Sequence, residues 1–180
     1  MKTMRNLNKQ RGATMISILL WTAGAVLVLA ASIKRWTEYQ VESSGSELME
    51  FVVKVKPKVT ANYPAGIPDM TTQAMIDLDF ARDDEVDVAG VTKIIVSDNV
   101  EATLAPNAGN TASVLTLSPV RESVCVNAVT KLWSLAYPLS INGVQVKTAV
   151  DDTVMGQAAA IATNCSNAAN SIDLELDSYI

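Results

Sequence analysis

The chain has 180 residues, with 14 Lys and Arg, 19 Asp and Glu, a formal net charge of −5 and no histidine. The length suits a single domain, the missing imidazole excludes Ser-His or Cys-His catalytic pairs and histidine metal centres, and the acidic balance argues against a nucleic-acid partner, whose phosphates need clustered cations. The average conceals a split: Lys2, Arg5, Lys9, Arg11, Lys34 and Arg35 occupy the first 35 positions without a single acid, and the remaining positions carry 8 basic against 19 acidic residues.

Residues 13–33 form an uncharged stretch of 21 residues, which as a helix spans roughly the 30 Å of bilayer hydrocarbon. The four cations ahead of it favour a cytoplasmic N-terminus, a contrast that Lys34 and Arg35 weaken; the acidic body would then be translocated. The residues admit three readings of this front. One is a cleaved secretory signal with a small-x-small site at Ala23-Gly24-Ala25 or near Ala30-Ala31, although the apolar run is long for that. A second is a plain single-pass anchor. The third rests on Gln10-Arg11-Gly12-Ala13, where a short basic leader ends in glycine directly before the apolar segment.

At that junction the chain resembles a type IV prepilin, and its layout is most similar to the type IVb subclass. The resemblance implies that residues 1–12 are a leader, that a membrane-embedded prepilin peptidase cuts after Gly12, and that Ala13 becomes a methylated N-terminus. The apolar segment then stays in the mature protein as a membrane anchor and later as filament core, where Ala13, Ser17 and Gly24 would contribute to assembly. Implied partners are further copies of the chain in a helical pilus, an assembly ATPase and its inner-membrane platform. One residue departs from the family pattern: the fifth mature position, usually Glu and thought to pair with a neighbour's N-terminal amine, is Ser17. A hydroxyl cannot replace a carboxylate as the partner of a buried amine. Either the amine is satisfied otherwise, or the chain is a minor rather than the major subunit.

Beyond Arg35 the pattern becomes amphipathic. Trp36, Tyr39, Leu48, Phe51, Val52, Val55 and Val59 recur at helical steps, with Glu38, Glu42, Glu47 and Glu50 largely between them. One continuous helix of about 45 to 50 residues is expected over 13–62, weakened at Gly24 and Gly45 and kinked or ended by Pro57. Trp36 and Tyr39 read as an interfacial anchor or as subunit contacts. Residues 62–68 read as an exit loop.

Residues 63–180 form the acidic body, enough for one small core. A short helix is expected over 71–78 behind Thr71 as N-cap, strands over 91–97, 100–105 and 113–117 separated by turn-rich residues, and a helix over 121–137 bracketed by Pro119 and Pro138. Then come a strand or hairpin over 139–146 around Asn142-Gly143, an Ala-rich helix over 153–163 and a closing strand over 171–176. The fold class is therefore α+β: a long N-terminal helix packed on a small antiparallel sheet. Cys125 and Cys165, without a CxxC spacing, suit a structural disulfide in a translocated body; two buried free thiols are the alternative. The resemblance places this pair at the ends of the D-region, residues 125–165, that type IV pilins close with such a bond.

No catalytic constellation emerges, and neither a cofactor nor a metal is expected. The acids Asp77, Asp79, Asp83, Asp84, Glu85 and Asp87 lack the EF-hand frame and read as a solvated loop rather than a cation site. Serines and threonines have no histidine partner, and no phosphate-binding glycine loop is present. Asn164-Cys165-Ser166 fits the N-glycosylation pattern only formally. The expected function is a non-enzymatic subunit of a bacterial type IVb pilus, held in the inner membrane before assembly and extracellular afterwards, serving adhesion, aggregation or conjugation. The competing expectation is a periplasmic binding domain behind an ordinary signal sequence or anchor.

Overall fold

The computed structural model describes residues 4–62, 71–80, 93–97, 99–109 and 111–176, with side chains from residue 19 onward. The expected exit loop and the acids from Asp83 to Asp87 lie outside the described residues. Two compact units make up the chain, Met1–Gln40 and Val41–Ile180.

Helix α1 runs Met4–Asn62 over 59 residues, longer than the sequence pattern suggested because the stretch before Ala13 is helical as well. In the second unit α1 turns Leu48, Phe51, Val52, Val55 and Val59 into the core, the i, i+3, i+4, i+7 spacing of a single face. Pro57 lies inside the helix and does not end it. The bond it forfeits would have gone to the carbonyl of Val53, which sits on the exposed side at 47% accessibility, where water can take it. The buried Val55 and Val59 flank Pro57 and keep the final turns in place.

Helix α2 (Thr72–Asp77) begins as its sequence indicates: the hydroxyl of Thr71 accepts from the amide of Ala74. The six strands are β1 (Ile94–Ser97), β2 (Val100–Pro106), β3 (Ser113–Val120), β4 (Leu139–Ile141), β5 (Val144–Lys147) and β6 (Asn170–Leu176), with helices α3 (Glu122–Leu132) between β3 and β4 and α4 (Ala158–Asn164) between β5 and β6. They form one antiparallel sheet in the order β1-β2-β3-β6-β4-β5. The meander of β1 to β3 follows from local turns: Asn99 adopts φ 65, and Asn107 accepts through Oδ1 from the amides of Gly109 and Thr111. The closing strand then enters the middle of the sheet.

Register explains the core. Leu104, Leu115, Leu174 and Leu139 pair successively across β2, β3, β6 and β4, and Ala102, Leu117, Ile172 and Ile141 form the row beside them. Both rows are buried, because alternate residues of each strand face the same side. Against them pack α1 and the buried face of α3, Val124, Cys125, Ala128, Val129 and Leu132. Each fully buried aliphatic side chain contributes about 2 kcal/mol.

Three boundaries differ from the sequence reading. Pro119 belongs to β3 rather than bracketing a helix; the pairing of β3 with β6 shifts between Leu117 and Val120, so the missing amide falls in an irregularity. Helix α3 stops at Leu132, and beyond it the carbonyls of Trp133, Leu135 and Ala136 accept from lysines of other elements instead of from helix amides. Helix α4 starts five residues late, after a turn in which Gly156 donates to the Thr153 hydroxyl.

Candidate assembly helix and disulfide-closed region

In the first unit every described side chain is solvent-exposed. The apolar residues Leu19, Leu20, Val26, Leu27, Val28, Leu29 and Ile33 are 62–71% accessible, and Trp21 reaches 79%. Among the described residues one helix is long and apolar enough to cross a membrane. Its hydroxyls do not spoil that surface: Thr22 donates to the carbonyl of Leu19, Ser32 to that of Val28 and Thr37 to that of Lys34. Back-bonded hydroxyls of this kind are satisfied without water. Lys34 and Glu38 pair at 3.8 Å one turn apart, which at such exposure is worth a few tenths of a kcal/mol. Gly12, Ala13 and Ser17 all lie within α1. A Cβ at Gly24 would meet nothing within 4 Å in its own chain.

In the second unit Cys125 of α3 and Cys165, which caps α4, form a disulfide with S–S 2.03 Å, both residues buried. The bond encloses α3, the β4–β5 hairpin and α4. A loop of 40 residues closed in this way stabilises by about 4 kcal/mol on loop-closure entropy. The free thiols considered as an alternative are absent among the described residues.

Two polar centres hold this region. The first is Asn170, 1% exposed at the start of β6. Its Nδ2 donates to the carbonyls of Val120 (3.2 Å) and Asn167 (2.8 Å), and its Oδ1 accepts from Nδ2 of Asn142 (2.9 Å). Asn142 adopts φ 53 in the Asn-Gly turn, and it also donates to the carbonyl of Asn164 and accepts from the amide of Ser171. The side chains of Asn142 and Asn170 thereby tie the hairpin turn, the end of β3 and the segment after α4 together.

The second centre is Lys147 of β5, buried with its ammonium donating to the carbonyls of Trp133 (2.7 Å) and Ala136 (3.0 Å) and lying 5.7 Å from the Trp133 ring centroid. A cation where a helix ends meets the negative end of its dipole. Burial, and secondarily Lys56, pushes the Lys147 ammonium below its ordinary pKa, while Asp152 pulls it back up. Lys56 of α1 donates to the Leu135 carbonyl at 2.5 Å. Asp152 accepts from the hydroxyl and amide of Thr148 and the amide of Ala149. Those bonds, the Thr148 hydroxyl foremost, hold its carboxyl below the usual range.

Helix α3 lies close to α1 at Gly45, where a Cβ would sit 2.2 Å from Oδ1 and 3.2 Å from Cγ of Asn127. That Oδ1 is buried and, among the described residues, has no hydrogen-bond partner. Nearby, Lys131 donates to the carbonyl of Glu42 and the hydroxyl of Ser46, and the buried Ser97 of β1 donates to the carboxylate of Glu47.

The structure thus brings Cys125 and Cys165 together. No group of three or more metal-ligating acids, cysteines or histidines occurs among the described residues. Sequence reasoning passed over Asn170 and Lys147. Asn170 carried a readable signal, since it stands in phase with Ile172, Leu174 and Leu176 and so belongs to the core face of β6.

No family model matches the sequence, and no curated protein matches it significantly. Among solved structures it is similar to TcpA, a type IV pilin from Vibrio cholerae El Tor biotype, with a TM-score of 0.50 and 9% identity, over 76% of this chain and 98% of that one. At that identity the likeness is one of fold. The chain has a type IV pilin fold: a long N-terminal helix on a six-stranded antiparallel sheet, with a disulfide-closed C-terminal region.

Proposed function

We propose that the chain is a structural, non-enzymatic subunit of a bacterial type IVb pilus, major or minor. The observation that carries this reading is the exposed apolar surface of residues 19–33, on the same helix whose later turns are built into a disulfide-closed head. Such a surface is stable in lipid or against copies of itself and is costly in water. The head is a small α+β body closed by the Cys125–Cys165 bond.

In this reading the prepilin peptidase removes residues 1–12, Ala13 becomes the methylated N-terminus, and residues 13–33 hold the subunit in the inner membrane with the N-terminus cytoplasmic. The assembly ATPase and its platform then move the subunit into a homo-oligomeric helical filament outside the cell. Transfer from lipid to filament exchanges one apolar surrounding for another, so close packing at Ala13, Ser17 and Gly24 matters more than further hydrophobic gain. Adhesion, aggregation or conjugation would be the filament's task.

Intact-mass measurement and N-terminal sequencing of the mature protein test the proposal. The expected start is Ala13 carrying a methyl group, and Gly12→Ala should leave the leader in place. A start near Ser32 would point to a secreted binding domain, and retention of Met1 to a simple anchor; either result refutes the pilin reading. For the missing carboxylate, Ser17→Glu with filament counts by electron microscopy should raise assembly if the amine lacks a partner. Unchanged counts would mean that the amine is satisfied elsewhere.

A further inference from the structure

We propose that Asn142-Gly143, the tip of the β4–β5 hairpin, is a deamidation site that stays closed while Cys125–Cys165 is intact and reacts once a thiol reductant has opened that bond. It is the single Asn-Gly pair of the chain. Asparagine before glycine is prone to cyclise, because no side chain hinders the following amide nitrogen. The Gly143 nitrogen attacks Cγ of Asn142 and gives up its proton, the bond from Cγ to Nδ2 breaks, and Nδ2 leaves with that proton as ammonia. Water then opens the succinimide ring at either carbonyl and leaves aspartate or isoaspartate. The sum is amide plus water to carboxylic acid plus ammonia, with nothing oxidised or reduced. Asn142 and Gly143 are both exposed, so water reaches the ring. All the residues involved belong to the head, whatever the assembled state of the chain.

In the folded head hydrogen bonds hold that reaction back. Both hydrogens of Nδ2 are engaged, by the Asn164 carbonyl at 2.8 Å and Oδ1 of Asn170 at 2.9 Å, and Oδ1 of Asn142 accepts from the Ser171 amide at 2.9 Å. The Asn142 amide in turn donates to the Ser171 carbonyl at 2.9 Å. Cγ can swing onto the Gly143 nitrogen only when the three side-chain bonds break together, so the rate follows the fraction of heads in which this corner is open. The groups that hold Asn142 lie beside the disulfide. Asn164 directly precedes Cys165, and Nδ2 of Asn170 reaches the carbonyls of Val120, Asn167 and, at 3.5 Å, Cys165. Between them residues 166–169 are exposed, and the seven residues of α4 bury only Ile161. A helix that short does not hold itself together in water, so the covalent tie from Cys165 to Cys125 of α3 keeps this corner on the core. Exchange with a thiol reductant removes the tie: two reductant thiols leave as their own disulfide, and the two cysteines take the protons. The product cannot restore the corner. A carboxylate at position 142 would set its oxygens against the Asn164 carbonyl and Oδ1 of Asn170, both acceptors. Isoaspartate also adds a main-chain carbon to the turn and spoils the pairing of Ile141 with Val144.

The test follows the full chain in detergent at mildly alkaline pH by peptide mass spectrometry, reading the replacement of NH2 by OH at Asn142 and separating the aspartate and isoaspartate peptides. With dithiothreitol present, Asn142 should deamidate about tenfold faster than in the disulfide-intact chain and approach the rate in denaturant. Cys125→Ser/Cys165→Ser without reductant should match the reduced chain. Asn170→Ala with the disulfide intact withdraws one acceptor from Nδ2 of Asn142 and the link to Val120, and should speed the reaction at least about threefold. If reduction unfolds the whole head, as lost exchange protection of β2 and β3 would show, the Asn170→Ala chain decides alone. Equal rates with and without the disulfide in a folded head, an Asn170→Ala chain no faster than the unaltered one, or reaction of the intact chain as fast as in denaturant would each overturn the proposal.

Discussion

Replacing Gly45 with alanine sets two physical effects against each other. Alanine is favoured over glycine in a helix interior by about 1 kcal/mol, so on helix propensity alone the change stabilises. The added Cβ, however, would lie 2.2 Å from Oδ1 and 3.2 Å from Cγ of Asn127, with the backbone nitrogen of Ala128 at 3.5 Å. The last distance is ordinary contact, and the first two require Asn127 to leave its place between α1 and α3. Asn127 is the end of a flexible, half-buried side chain, so turning it aside costs about as much as the helix gains and Gly45→Ala should be close to neutral. In an Asn127→Ala background the obstruction is gone, and Gly45→Ala should stabilise by about 1 kcal/mol, leaving a coupling of about 1 kcal/mol. Thermal unfolding of the detergent-solubilised full chain, followed by near-ultraviolet circular dichroism, would read this as almost no shift in one background and a rise of about 2–4 °C in the other. Equal shifts of the same sign in both backgrounds would refute the idea that close approach of α3 demands glycine at this position.

Three further outcomes are expected from the same unfolding measurement. Asn170→Ala removes a buried side chain that serves the carbonyls of Val120 and Asn167 and the amide of Asn142, and should cost about 2–3 kcal/mol; a loss under half a kcal/mol would mean that water replaces it. Reducing Cys125–Cys165, or changing both cysteines to serine, should cost about 4 kcal/mol and loosen the β4–β5 hairpin and α4 before the β2–β3 pair, as hydrogen exchange would record. Asp152 has a folded pKa below its ordinary value of 3.8, so its contribution is complete above that value and disappears as pH falls through the folded one. Asp152→Asn should therefore lose stability near neutral pH and flatten the acid limb of the stability curve. An acid limb identical to that of the unaltered chain would remove Asp152 as its source.

The legible parts of the chain were those set by local chemistry. An uncharged run of bilayer length, the amphipathic steps from Leu48 to Val59, the cap at Thr71 and the alternation in β3 and β6 all follow from side-chain periodicity against a backbone of fixed geometry. The pair Cys125 and Cys165 was readable because an acidic body without a CxxC spacing leaves few uses for two cysteines. That Pro57 does not end α1 and that Pro119 belongs to β3 have one reason. A proline's missing hydrogen bond is local, but whether it ends an element depends on whether packing or an irregular register absorbs the loss.

The sequence by itself determined the long helix, the α+β class and which face of each strand is apolar, because these depend on the order of residues within a few turns. Only the tertiary structure decided that β6 lies between β3 and β4, that Lys147 and Lys56 take up the carbonyls just past the end of α3, and that Gly45 answers to Asn127 while Gly24 answers to nothing in its own chain. Strand order, and the partners of a buried lysine or a bare glycine, are contacts between residues far apart in sequence. Periodicity states which face a residue takes and leaves open what it will meet there.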